Sequence, residues 1–404
     1  MNILFLTLLD YSTIEESGIY TDLMREFVKN NHKVYIISPS EKRKKEKTKS
    51  LDFGDVKILK LQIGNIQKTS YIEKGISTIT LESQYKAGIK KYFSDVKFDL
   101  VIYTTPPITL KKAVEFVKKR DNAKTYLLLK DIFPQNSVDL GLMKKQGPLS
   151  GLYKFFRHKE KQLYKISDYI GCMSQANVDY LLKKNPELSY SKSIEVCPNS
   201  IEPQVIGISD SDRDKIRGKY QVPKDKFVFV YGGNLGKPQG IDFLIECLKA
   251  NEKNDNSFIL IVGSGTEFSK ISQFFEETKP QNAKLMAHLP REDYEVLANT
   301  CDVGLIFLDK RFTIPNFPSR LLSYMLASMP VLAATDINTD IGDTIINGNF
   351  GYWCESDNAI EFNQLMNNMC DEKLLLELGK NSRKYLENNY TSNHSYKSIM
   401  KHFI

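Results

Sequence analysis

Residues 227–249 read FVFVYGGNLGKPQGIDFLIECLK, and this stretch sets the fold class. An apolar, aromatic-rich run of strand length leads into a glycine-rich turn, followed by apolar residues at helical spacing. A strand apolar on both faces that feeds a helix belongs to a parallel sheet covered on each side by helices. The alternation extends in both directions. NILFLTLL, KVYIIS, VKILKLQI, DLVIYTT, KTYLLLK, YIGCMS and SIEVCP precede it, and SFILIVG, AKLMAHL, CDVGLIFL and PVLAATD follow. The pattern restarts after about residue 200, beyond the polar SIEPQVIGISDSDRDKIRGKYQVPKDK. Two doubly wound α/β domains are therefore expected, residues 1–200 and 201–385, with ligands outside the carboxyl ends of the strands. At 404 residues the chain is also long for one core.

The composition, 41% hydrophobic and 26% charged, is that of an ordinary globular protein. No run of about 18 apolar residues is present to span a membrane. The start MNILFLTLLDY has no basic region and no cleavage site, so it reads as a first buried strand. Six cysteines lie far apart with no CxxC pair, which suggests reduced core thiols in a cytosolic protein. The net charge of +7 is uneven: residues 1–200 hold 34 basic against 22 acidic side chains, and the remainder is net acidic. A basic half points to an anionic membrane surface or a polyanionic substrate. Nucleic acid is set aside, because no recognition motif accompanies the charge. The run EKRKKEKTKS (41–50) is expected to be a solvated loop.

Several loops carry candidate chemistry. In YGGNLGKPQG (231–240), backbone N–H groups near Gly233 can face an anion at a helix N-terminus, and Lys237 can add a point charge. The spacing is neither GxxxxGK[ST] nor GxGxxG, and a tight turn with an exposed lysine fits equally well. LIVGSGTEF repeats the arrangement at Gly263, though a GSG taken alone more often marks a simple connection. His288, Leu289 and Pro290 follow another strand where a planar base could bind, a structural histidine being the commoner reading of His288 alone. In FTIPNFPSRLLSYMLASMPVLAATD (312–336), Pro318 and Ser319 start a helix that puts Arg320 in its first turn. Arg320 is either a bidentate diphosphate clamp or a surface arginine paired with an acid.

In the first half, Gly18 stands just ahead of a helix beginning near Tyr20, where a ligand can approach the backbone. Lys130 and Asp131 end a buried strand, as a functional pair or a structural ion pair. PLSGLYKFFRHKEKQLYKIS (148–167) alternates Leu149, Leu152, Tyr153, Phe156, Leu163 and Tyr164 with five cations. It suits an anionic membrane interface or an ordinary packed surface. DSDRD (210–214) contains a DxD triplet, but it lies in a polar segment away from any strand and is not expected to hold metal.

Taken in order, Gly18, PNSIE (198–202), GGNLGKPQG, VGSG, AHLPREDY and PSRLLSYMLASMPVLA resemble the family 4 retaining glycosyltransferases of GT-B fold. KDIFPQNSVDLGLM resembles the bacterial capsule and O-antigen subgroup, with fucosamine-type N-acetyl-6-deoxyhexosamine transferases among its members. The resemblance implies two Rossmann-like domains facing across a cleft, with residues 386–404 crossing back to the first. It implies a UDP-sugar donor, a polyprenyl-diphosphate-linked glycan acceptor and a peripheral place on the cytoplasmic face of the membrane. It implies no metal and no cofactor. Lys237 and Arg320 would stabilise the leaving diphosphate, and Asp131 would bind a substrate hydroxyl. Gly18, Gly233, Asn234, Gln239, Gly263, His288, Leu289, Pro290, Asn316, Phe317, Pro318, Ser319 and Ser323 would line the donor. This sequence departs from the family twice. Pro315 and Ser323 stand where two glutamates usually face the donor, and Asn234 and Gln239 where an arginine and a lysine usually hold the diphosphate. Two other readings share this fold or its parts: a UDP-N-acetylhexosamine 2-epimerase, which needs clustered acids and histidines, and a non-catalytic nucleotide- or glycan-binding subunit.

Overall fold

The computed structural model describes every residue except 67, 68, 70, 149, 191, 192, 205, 206, 253 and 404, and the side chains of 71, 72 and 74. Leu149 of the expected basic helix thus lies outside the described residues. The chain divides into two compact units. One comprises Met1–Glu202 with Thr391–Ile404, and the other Pro203–Tyr390.

The first unit is built on an eight-stranded sheet, ordered β3-β4-β2-β1-β5-β6-β7-β8. The strands are β1 (Asn2–Leu6), β2 (Lys33–Glu41), β3 (Lys49–Asp52), β4 (Val56–Ile63), β5 (Leu100–Thr104), β6 (Lys124–Leu129), β7 (Tyr169–Cys172) and β8 (Ser193–Val196). All pair in parallel except β3, which runs antiparallel to β4 at the edge. The expected loop at 41–50 is therefore partly ordered: a 3-10 turn covers Lys42–Lys44, and Lys49 and Ser50 open β3. Pairing with β4 supplies backbone hydrogen bonds that charge alone does not reveal. Alternation along β1 shows why the strands read as wholly apolar. Ile3 and Phe5 enter one core and Leu4 and Leu6 the other, so helices must cover both faces. The C-terminal helix Ser392–Met400 belongs to this unit, where Tyr396 packs its ring against Phe27 at 5.1 Å.

The second unit has a six-stranded parallel sheet ordered β11-β10-β9-β12-β13-β14. Its strands are β9 (Phe227–Asn234), β10 (Ser257–Ser264), β11 (Ala283–Ala287), β12 (Val303–Phe307), β13 (Val331–Thr335) and β14 (Gly351–Glu355). Counted from its own first strand, the order is 3-2-1-4-5-6, with a topological switch between β9 and β12. The edge strand GYWCE was not among the expected strands; two aromatics and a cysteine bounded by glycine and acids are a short signal. The polar segment after residue 203 contains a helix, Asp210–Lys219, anchored by the buried Arg217 on Asp302 at 2.8 Å and on the Thr300 carbonyl. Among the described residues, no helix is long and apolar enough to cross a membrane.

Candidate functional site

At the switch point of the second unit, two glycines end β9 and two bulky side chains fill the space they leave. A Cβ on Gly232 would fall 1.9 Å from the hydroxyl of Tyr294. Gly233 has φ +126°, a conformation that disfavours any side chain, and a Cβ there would lie 3.2 Å from the Arg320 Nη2. Arg320 opens the helix Arg320–Leu326, and its guanidinium stacks over the Tyr231 ring, 4.2 Å from the centroid. The platform is itself fixed. Tyr231 donates its hydroxyl to the Asn234 carbonyl at 2.6 Å, and the Tyr324 hydroxyl lies 3.1 Å from the Val230 and Leu305 carbonyls. Burial opposes the charge on Arg320, but Tyr231 and Tyr324 outweigh it and hold the guanidinium above its ordinary pKa. Its Nη1 is buried without a hydrogen-bond partner. A charged donor left unpaired in a buried position is complementary to an anion.

The surrounding candidates occupy the same sheet edge. Lys237 begins a 3-10 turn, is exposed and makes no ion pair among the described residues. Asn234 and Gln239 bond each other at 2.8 Å, and the Gly236 N–H donates to the same Gln239 oxygen at 3.2 Å. The two residues at the family's cationic positions thus close the loop upon itself. The turn packs on the exit of β12, where the Asp309 N–H donates to the Pro238 carbonyl at 3.0 Å. Gly263 admits the Gly233 carbonyl, which would lie 2.1 Å from a Cβ. Asn316 lends its carbonyl to the Thr339 hydroxyl at 2.5 Å, and the Phe317 ring lies 6.1 Å from that of Tyr390. Pro318 and Ser319 precede the arginine helix, where Ser319 makes no side-chain cap. Ser323 is exposed one turn further on. His288, Leu289 and Pro290 follow β11, the edge strand, with His288 and Pro290 exposed.

In the first unit, the switch lies between β1 and β5. Contrary to the expectation from sequence, the N–H of Gly18 is not open to a ligand, because it donates to the Asp22 carboxylate at 2.8 Å. Asp22 also pairs with Arg25 and accepts from the Glu202 N–H at 2.7 Å. That carboxylate serves the chain's own backbone. Lys130 and Asp131 do not form an ion pair: Lys130 donates to the Cys197 carbonyl at 2.8 Å, and Asp131 accepts from the Asn136 side chain at 2.9 Å. Their backbone N–H groups share the Thr105 hydroxyl, at 2.9 and 3.2 Å. Burial pushes the Lys130 amine down to about 8 and the Asp131 carboxyl up to about 6. Two adjacent groups displaced toward neutrality at the end of a parallel strand are a functional-site signature.

The other motifs resolve more simply. Asp210 and Asp212 open the helix Asp210–Lys219, with the Ser209 hydroxyl accepting from the Asp212 N–H at 3.2 Å. No group of three or more potential metal ligands occurs among the described residues. In the helix Ser150–Ile166, Arg157 pairs with the buried Glu160, and Lys159 reaches Glu82 at 3.1 Å. Leu152 and Phe155 stay exposed beside Lys154. Tyr231, Tyr294 and Tyr324 escaped sequence reasoning because tyrosines in strands and helices read as core.

Residues 212–389 match the model of the family described as glycosyl transferases group 1. The chain is 25% identical over 296 residues to a probable glycosyltransferase, WbjE, of Pseudomonas aeruginosa, covering 72% of this chain and 71% of the relative. It is 22% identical to WcaI of Escherichia coli K12, a putative colanic acid biosynthesis glycosyl transferase, over 61% of this chain and 60% of the relative. Among solved structures, a sucrose-phosphate synthase from Thermosynechococcus elongatus superposes with a TM-score of 0.74 at 13% identity, covering 100% of this chain and 98% of that one. HepE of Anabaena, in complex with UDP, superposes with a TM-score of 0.67 at 15% identity, covering 100% and 99%. The fold is GT-B.

Proposed function

We infer that this chain, with its C-terminal unit matching the group 1 glycosyltransferases, is a glycosyltransferase of bacterial surface-polysaccharide assembly. It would move a sugar from a UDP donor to a polyprenyl-diphosphate-linked glycan with retention of anomeric configuration. The observation that carries the reading is Arg320: an enclosed guanidinium at the sheet's switch point, with one nitrogen unpartnered and a side-chain-free Gly233 beside it. A nucleoside diphosphate supplies the missing acceptors. HepE, which shares the fold and is in complex with UDP, supports the choice of nucleotide.

In the proposed reaction the bond from the anomeric carbon to the donor's diphosphate oxygen breaks. The acceptor oxygen bonds to that carbon on the same face, and its proton passes to the departing diphosphate. The protein then need only stabilise charge and orient both partners, with no metal and no cofactor. Arg320 and Lys237 would meet the diphosphate charge, and each such contact contributes roughly 2–4 kcal/mol to the transition state. Asp131 would hold a hydroxyl, and the basic first unit would rest on an anionic membrane surface, with Leu152 and Phe155 at the lipid. The chain is incubated with a panel of UDP-sugars and membrane lipid extract, and lipid-linked product is measured together with UDP affinity. Sugar transfer to lipid is expected. UDP binding without transfer under any pairing would leave only the nucleotide-binding subunit, and free epimerised UDP-sugar without acceptor would leave the epimerase.

A further inference from the structure

The loop before Arg320 lacks both glutamates that the resemblance leads one to expect at the donor, and a carboxylate ends the neighbouring strand whose turn is tied to that loop. Asp336 directly follows β13 and is 3% exposed. Its Oδ1 accepts from the Asn338 N–H at 2.9 Å, which forms the turn, while its Oδ2 is buried without a hydrogen-bond partner. The turn is tied to the loop 312–319 at two points. The Asn338 side chain donates to the Phe312 carbonyl at 2.6 Å, and the Thr339 hydroxyl to the Asn316 carbonyl at 2.5 Å. On that loop the Asn316 Nδ2 is also buried and unpartnered. Two stapled loops therefore hold one surplus acceptor and one surplus donor, both shielded from solvent. Folded proteins pair nearly all such groups. Burial also lifts the Asp336 carboxyl to about 6, against the hydrogen bonds that its own turn supplies.

We propose that Asp336 and Asn316 read the donor sugar, Asn316 donating to and Asp336 accepting from a ring substituent that both accepts and donates. A hydroxyl and an acetamido group share that chemistry. The inference rests on the nucleotide-sugar reading of this unit and assigns the specificity that the absent glutamates leave open. A purely structural role explains Oδ1 but not Oδ2, because asparagine at position 336 would keep the turn. It would, however, turn the surplus acceptor into a donor.

The test titrates wild type, Asp336→Asn, Asn316→Asp and Asn316→Leu calorimetrically with UDP alone, UDP-glucose and UDP-N-acetylglucosamine, and records thermal unfolding of each. Each variant is expected to bind the preferred UDP-sugar at least tenfold more weakly while its UDP affinity stays within twofold. Combining Asp336→Asn with Asn316→Asp reverses donor and acceptor. A hydroxyl can reorient and recover affinity, whereas an acetamido group cannot, so recovery identifies which one is read. If the three single variants bind UDP-sugars as wild type does, the two groups merely hold buried water and the proposal falls. Should Asp336→Asn fail to fold, the variants at the half-buried Asn316 decide alone. If wild type binds no UDP, the underlying nucleotide reading fails instead.

Discussion

Replacing Asp131 by asparagine should make the first unit more stable at neutral pH and no more stable in acid. The carboxyl lies about two pKa units above its ordinary value, chiefly through burial, with only the Asn136 amide and the Ile132 N–H opposing the shift. A carboxyl raised on folding is neutral in both states below its unfolded pKa, so no stability is lost there. Between the unfolded value and about 6 the unfolded chain ionises first, and stability drains away as pH rises. Two units at about 1.4 kcal/mol each give an upper limit of roughly 3 kcal/mol. The residue keeps partial exposure, so about 2 kcal/mol is expected above pH 7. The substituted amide would keep the bond from Asn136 without carrying charge. Fluorescence would watch the wrong unit, because the single tryptophan, Trp353, lies in the second. Hydrogen exchange at the β6 amides reports the first unit directly, and 2 kcal/mol corresponds to roughly 30-fold greater protection at pH 7.5. At pH 3, below the unfolded pKa, the two proteins should exchange alike, and transfer activity should fall in the variant, since strain of this kind accompanies function. Equal protection of variant and wild type at both pH values would refute the reasoning and make Asp131 an ordinary loop carboxylate.

Gly232→Ala should destabilise the second unit by about 1–3 kcal/mol by overpacking Tyr294. Combined with Tyr294→Ala, it should cost at least ~1 kcal/mol less than the sum of the single changes in urea unfolding followed at Trp353; strict additivity would disprove the contact. Changing Leu152 and Phe155 together to serine should weaken binding to anionic-lipid vesicles about tenfold or more, as loss of two apolar contacts predicts. Unchanged cosedimentation would remove that surface from the membrane reading. Of the six cysteines five are buried and Cys370 is half-buried, its thiol pushed up to about 11 by burial. A thiol reagent at pH 7 should therefore modify at most one site, slowly, in the folded protein, and rapid labelling of several would contradict the packing.

The architecture was legible because parallel strands buried on both faces must be written in uninterrupted apolar runs. β1, β9 and β12 are of this kind. That Arg320 opens a helix was legible from Pro318 and Ser319. Its surroundings were not. Tyr231, Tyr294 and Tyr324 come from a strand and two helices, and nothing in their spacing reveals that they converge on one guanidinium. Gly18 misled for a related reason: glycine announces an open backbone, but Asp22, four residues on, had already taken its N–H. Asp336 looked like the end of a strand, and only the bonds from Asn338 and Thr339 reveal that its turn is tied to the loop 312–319. Local chemistry shows in local sequence, whereas a site assembled across strands depends on register and strand order.

The central claim is that Arg320, rather than a carboxylate or a metal, carries the leaving diphosphate. Its most direct test is the transfer rate of Arg320→Ala beside Arg320→Lys, with folding verified at Trp353. Loss of the guanidinium should slow transfer by roughly 30- to 1,000-fold, and lysine should restore only part of it, because it lacks the planar fork. Undiminished turnover in Arg320→Ala would contradict the account.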